Sequence, residues 1–69
     1  MQNHLVYSSN TEQKVREYDT DDDPPEVGDL VILPFGPNEE MCPYRVVDRY
    51  FYPEGQDRMI FYIEVTPAS

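Results

Sequence analysis

Apolar and polar positions alternate most clearly near the end of the chain. In Arg58-Met59-Ile60-Phe61-Tyr62-Ile63-Glu64-Val65, Met59, Phe61, Ile63 and Val65 fall on one side, and Ile60, Tyr62 and Glu64 on the other. A two-residue period predicts a strand whose purely apolar side faces a core. Pro43 to Tyr52 reads as a partner strand, rich in β-branched and aromatic residues. Here Tyr44, Val46, Asp48, Tyr50 and Tyr52 share one face, and Arg45, Val47, Arg49 and Phe51 the other. Asp48 argues against burying the first face and the two arginines against the second, so the pattern leaves the orientation open. With residues 53–57 as the turn, 44–52 and 58–65 predict a hairpin.

Val27 to Pro34 predicts another strand, opened by a turn at Gly28. Leu30 and Ile32 face one way and Val31 and Leu33 the other, so both faces are expected to be covered. Residues 35–40 form a loop. Towards the front, Leu5-Val6-Tyr7 is a short strand and Ser8-Ser9-Asn10 a turn. Residues 11–18 fit either a short helix capped by Thr11 or the second arm of a hairpin with residues 4–8. Only Val15 and Tyr18 would make the helix's apolar stripe, which is too little to hold it, and this favours the hairpin. Pro24-Pro25 forces an extended path. The expected layout is a less ordered N-terminal arm (1–18), an acidic extended connector (19–26) and a small β domain (27–66). The fold class is mainly β, a small antiparallel sheet or an SH3-like barrel.

The barrel alternative rests on a resemblance. The Val27-Gly28-Asp29 opening, a long loop and two β-rich strands resemble small SH3-like barrels over Val27 to Val65. The likeness implies a fold and transfers no functional residues, because such barrels host many unrelated activities.

Length and composition narrow the picture. At 69 residues the chain forms one domain with a thin core. Cys42 is the single cysteine and His4 the single histidine, so neither a disulfide nor a His/Cys metal site is expected to reinforce it. A lone cysteine suits a reducing cytoplasm. Met1 to Tyr7 has no basic n-region, so a secretory leader is not expected, and no apolar run is long enough for a membrane span.

Charge changes the picture most. Fourteen acids against five bases give a net charge of −9. Glu17 to Asp29 alone holds seven carboxylates and no Lys or Arg. Such a field repels nucleic acid and anionic lipid and favours basic protein surfaces. Solubility accounts for part of it.

Candidate chemistry is sparse. Asp19, Asp21 and Asp23 match the start of a calcium loop, but Pro24 stands where the turn needs Gly and Leu30 where the loop needs a bidentate Glu. Nucleophilic catalysis would require Cys42 or a serine beside a base, and the only imidazole, His4, lies in a front segment expected to be mobile. No glycine-rich phosphate cradle is present. No enzyme activity and no cofactor or metal are expected. Tyr50-Phe51-Tyr52 and Phe61-Tyr62 suggest a base-stacking platform, yet such platforms sit in positive grooves and here the bases are dispersed among acids. Exposed tyrosines suit a protein interface, with Tyr18 as an anchor.

In an extended segment, carboxylates at every second residue lie about 6.6 Å apart, a scale comparable to phosphates along DNA. Asp19, Asp21 and Asp23 follow that spacing, Asp22 lies among them, and Glu17, Glu26 and Asp29 extend the acidic line. Glu54, Asp57 and Glu64 supply a second row from the hairpin. In size, acidity and lack of catalytic equipment the chain resembles the small DNA-mimic inhibitors encoded by bacteriophages. Targets of that group include restriction enzymes, repair glycosylases and histone-like nucleoid proteins. The resemblance implies a monomer in the host cytoplasm that binds a basic DNA-binding protein and touches neither nucleic acid nor membrane. The alternative is an SH3-like structural or adaptor module in a phage particle or polymerase-type assembly.

Overall fold

The computed structural model describes residues 2–55 and 57–68. Among these, five strands form one curled sheet, a half-barrel. They are β1 (Gln2–Ser9), β2 (Lys14–Thr20), β3 (Leu30–Leu33), β4 (Cys42–Pro53) and β5 (Arg58–Pro67). A single 3-10 turn, Pro37–Glu39, lies between β3 and β4. The strand order is β2-β1-β5-β4-β3. Three pairings are antiparallel, as expected, while β1 and β5 pair in parallel. The long intervening chain makes that pairing possible, because parallel neighbours need an extended crossover.

The N-terminal segment differs from the less ordered arm. Residues 2–20 form the hairpin, not the helix, and β1 is an inner strand bonded on both sides. Leu5 stands opposite Tyr18 on one side and Phe61 on the other, and Tyr7 opposite Arg16 and Ile63. Alternation places Leu5, Tyr7 and Ser9 in the concave core and His4, Val6 and Ser8 on the convex face. Division at residue 18 therefore cuts through the sheet.

The conflict within β4 has a structural origin. Its register against β5 shifts between Val46 and Asp48, leaving an extra residue, Val47, in the ladder. An extra residue reverses which side chains face the core. Before the bulge Tyr44 and Val46 point inward and are buried. After it Arg49 and Phe51 stand opposite Ile63 and Phe61 on the concave side, and Asp48, Tyr50 and Tyr52 turn outward. Both alternations are correct, each over half the strand.

The core combines Leu5, Tyr7, Leu33, Phe35, Tyr44, Val46, Phe61, Ile63 and Val65, with Val31, Cys42 and Met59 packed against it. The predicted core face of β5 is thus met. Phe35 is fully buried and meets Tyr44 edge-to-face at 5.5 Å between ring centroids. At Gly36 a Cβ would come within 2.7 Å of Cys42 Sγ, so this turn accepts no side chain.

Covering of both faces of β3 does not occur. Leu33 is 3% exposed, but Leu30 and Ile32 are each 57% exposed. β3 is an edge strand of a single layer, so its outward side chains meet no second sheet. Val27-Gly28-Asp29 lies just ahead of the strand as a turn, with Gly28 at φ +99°.

Residues 21–29 form a strap that crosses the open side of the half-barrel from β2 to β3. Arg49 Nη1 donates to the Pro25 carbonyl at 3.0 Å and Arg45 Nη1 to the Gly28 carbonyl at 2.8 Å. Gly28 N donates to Val46 O, and Val46 N to Asp29 O. At the other end of the seam Lys14 Nζ donates to the carbonyls of Phe35 and Gly36, and Arg16 pairs with Glu39 at 2.9 Å. Side chains, not a backbone ladder, hold the two edges together.

Neighbouring residues of β3 should therefore respond differently to truncation. Leu33→Ala is expected to cost about 2–5 kcal/mol, by loss of buried area plus a cavity. Ile32→Ala should stay within about 0.5 kcal/mol. Urea midpoints of the two variants measure the contrast, and equal losses would contradict this core assignment.

Candidate functional site

The acidic residues sort into groups by where β2 and the β4–β5 turn end. β2 finishes at the same end of the sheet at which β1 and β5 begin. Gln2 N donates to Asp57 O at 3.0 Å, and Asn3 Nδ2 to the Asp22 carbonyl at 3.0 Å. Arg58 bridges the groups: its Nη2 lies 3.2 Å from Asp19 Oδ1 and its Nε 3.6 Å from Glu54 Oε2. The fold thus gathers Asp19, Asp21, Asp22, Asp23, Glu54 and Asp57 at one end.

Of the remaining predicted residues, Glu17 and Glu26 adjoin this group through His4 and a shared cleft with Asp23, and the others lie elsewhere. Glu17 shares the convex face with Asp19. Glu26 and Asp29 close their own turn: Glu26 N donates to Asp29 Oδ2 at 2.9 Å, and Asp29 N to Glu26 O at 3.0 Å. Glu64 is on the convex face and accepts a hydrogen bond from Asn10 Nδ2. Tyr18 is on the concave face, edge-to-face with Tyr7 at 5.9 Å. A single continuous negative face through all of these residues is not formed. Nor does the regular spacing of Asp19, Asp21 and Asp23 persist, because the chain bends at Asp21-Asp22. Thr20 Oγ1 accepts the Asp22 N–H at 3.0 Å, a local bond that competes with strand continuation.

The aromatic platform is divided by the pleat. Tyr50, Tyr52 and Tyr62 face outward, with Tyr52 and Tyr62 stacked at 5.8 Å. Phe51 and Phe61 meet on the concave side at 5.5 Å.

Cations are used within the fold. Lys14, Arg45 and Arg49 donate to backbone carbonyls, while Arg16 and Arg58 pair with carboxylates. A cation on a carbonyl leaves the acids nearby uncompensated. Among the described residues, no ion pair involves Asp21, Asp22, Asp23, Glu26 or Asp57.

Two clefts flank the strap. One, of about 340 Å³, lies in the seam between β2 and β3, with Leu5, Tyr7 and Leu33 at its floor and Asp22 and Asp23 at its rim. The other, of about 330 Å³, lies between the strap and β4–β5 and is lined by Arg49, Phe51, Phe61, Asp23 and Glu26. Among the described residues, no group of three or more His, Cys, Asp or Glu side chains is arranged to hold a metal, and no helix is long and apolar enough to cross a membrane.

His4 is the site residue that sequence reasoning missed. Its Nδ1 lies 2.7 Å from Asp19 Oδ1 and its Nε2 2.8 Å from Glu17 Oε1. Both ring nitrogens face carboxylate acceptors, so both donate only when the ring is an imidazolium. The hydrogen bond to Asp19 raises the His4 pKa above its ordinary value, that to Glu17 adds to the effect, and partial burial and Arg58 oppose it. The same His4 hydrogen bond lowers the Asp19 pKa, aided by Arg58. The detectable signal was hairpin register: Asp19 stands directly opposite His4, and Glu17 is its diagonal neighbour on the same face.

The sign of the pH dependence follows. With a raised folded-state pKa, His4 stabilises fully below its unfolded value near 6.5 and loses that contribution as pH rises through the folded value. Asp19, with a lowered pKa, contributes above an unfolded value of about 3.9 and is lost as pH falls through its folded value. The hairpin contact is thus strongest between about pH 4 and 6.5. NMR titration should place the His4 pKa above 6.5, and His4→Gln should flatten the fall in stability on the alkaline side. A His4 titration at or below 6.5 would contradict the arrangement.

Compared with protein-family models, curated proteins and solved structures, the chain matches none.

Proposed function

We propose that the protein is an acidic inhibitor that binds a basic DNA-binding protein as a nucleic-acid mimic, with histone-like nucleoid proteins as the target class. One observation carries this reading: carboxylates from β2, the strap and the β4–β5 turn gather at one end, while three of the cations engage backbone carbonyls. The end acts by charge density rather than as a regular comb of phosphate-like groups. Architectural proteins hold DNA through backbone charge with little base readout, so a dense negative surface suffices to compete. No catalytic step, cofactor or direct nucleic-acid contact enters the mechanism, and the protein acts as a monomer.

A second reading, a structural or adaptor module, draws on different residues. Leu30, Ile32, Val27 and Met41 are all more than half exposed around β3. An adaptor using them would bind through apolar area and tolerate salt.

Capture of a purified histone-like protein, with and without excess DNA across a salt series, separates the readings. The mimic loses its target to DNA, and its affinity falls steeply with salt. Changing Asp21, Asp22 and Asp23 together to Asn should leave the fold intact and weaken binding about tenfold, at about 0.5 kcal/mol per exposed charge pair. Capture that persists in excess DNA and high salt would replace the mimic with the adaptor.

A further inference from the structure

The strap separates two clefts of similar size, and one of them holds an arginine of the chain itself. Arg49 Cζ lies 5.6 Å from the centroid of the Phe61 ring, and Nη1 donates to the Pro25 carbonyl. Asp23 and Glu26 line the same cleft. Two contacts hold the guanidinium, the Phe61 ring face and a strap carbonyl, and the lining carboxylates stand beyond ion-pair distance. Arginine suits it because its guanidinium stacks on rings and its stem tolerates burial.

The seam cleft has an apolar floor of its own and shares Asp23 with its neighbour. Leu5, Tyr7 and Leu33 form the floor, Tyr18 lines it and is 41% exposed, and Pro25 borders it. Asp22 and Asp23 stand at the rim with no ion pair among the described residues. Among the described residues, no Lys, Arg or His lines this cleft. Arg16 comes from the adjoining strand but is turned to Glu39. An apolar floor under an uncompensated acidic rim, in a chain of net charge −9, is complementary to a long cationic side chain and unfavourable to a second copy of the same chain.

We propose that the seam cleft takes an arginine side chain projected by the basic partner, with Tyr18 offering a ring as Phe61 does to Arg49. The idea rests on the reading of the partner as basic, and it names the anchor within that interface. The stem lies on Leu5 and Leu33, the guanidinium reaches Asp22 and Asp23, and Tyr18 offers its ring. Arginine is enriched among the residues that dominate interface energetics, and the rim charges chiefly steer it.

The test titrates the intact protein with the tripeptide acetyl-Gly-Arg-Gly-amide, followed by NMR of side-chain methyls. Acetyl-Gly-citrulline-Gly-amide, similar in shape and uncharged, is the comparison. The arginine peptide should give saturable shifts at Leu5, Leu33 and Met41, and the citrulline peptide should give none at the same concentrations. Asp22→Asn with Asp23→Asn should weaken the arginine titration about fivefold. Ile32→Arg, at an exposed position beside the cleft, should supply a resident cation and abolish it. The proposal is overturned if arginine and citrulline peptides act alike, if shifts are confined to the Glu54 and Asp57 end, or if the cleft methyls do not respond. Those results leave the mimic reading standing when DNA still displaces the captured target. Cleft binding of arginine without DNA competition would instead remove the mimic reading and retain the cleft.

Discussion

The parallel ladder between β1 and β5 is the constraint on which the rest of the structure depends. It runs from Gln2 opposite Arg58 to Ser9 opposite Val65. Through it the start of the chain becomes the middle of the sheet, and β2 becomes one edge. With β3 at the other edge, the curled sheet has a seam, and residues 21–29 must cross the open side to join the two. Position of the acidic segment, formation of two clefts and the meeting of β2 with the β4–β5 turn all follow from that pairing.

The extra residue at Val47 is the second determinant. A strand this long would twist away from a curled sheet if its register were uninterrupted, and bulges increase local twist. The bulge buries Tyr44 and Val46 at one end and turns Arg49 inward at the other. That inward arginine then meets the strap carbonyl and the Phe61 ring. One register shift therefore supplies both a core and the tether of the strap.

Charge organisation follows from how few cations there are. Five bases face fourteen acids, and three of the five are engaged with backbone carbonyls. Backbone satisfaction holds the seam closed at the expense of charge neutralisation. Among the described residues, only Arg16, Arg58 and the imidazole of His4 meet carboxylates. The result is a stable fold with an uncompensated acidic end, the property on which the proposed binding role relies.

Much of the fold was legible in local pattern. The alternation of Met59, Phe61, Ile63 and Val65 identified β5 and its core face, and the weakness of the Val15/Tyr18 stripe pointed to a hairpin at the front. The acidic character was equally plain, because it depends on residue identity alone. Tertiary structure decided the rest. No local period reveals that β1 lies beside β5, since the pairing joins residues more than fifty positions apart. The β4 conflict needed a partner register to show its bulge. Burial of Leu33 and exposure of Ile32 depend on β3 being an edge, which equal hydrophobicity cannot signal. Likewise, sequence alone determined that this protein is negative and mainly β; only long-range pairing decided that Asp19 to Asp23 would meet Glu54 and Asp57, leaving Asp29 and Glu64 apart.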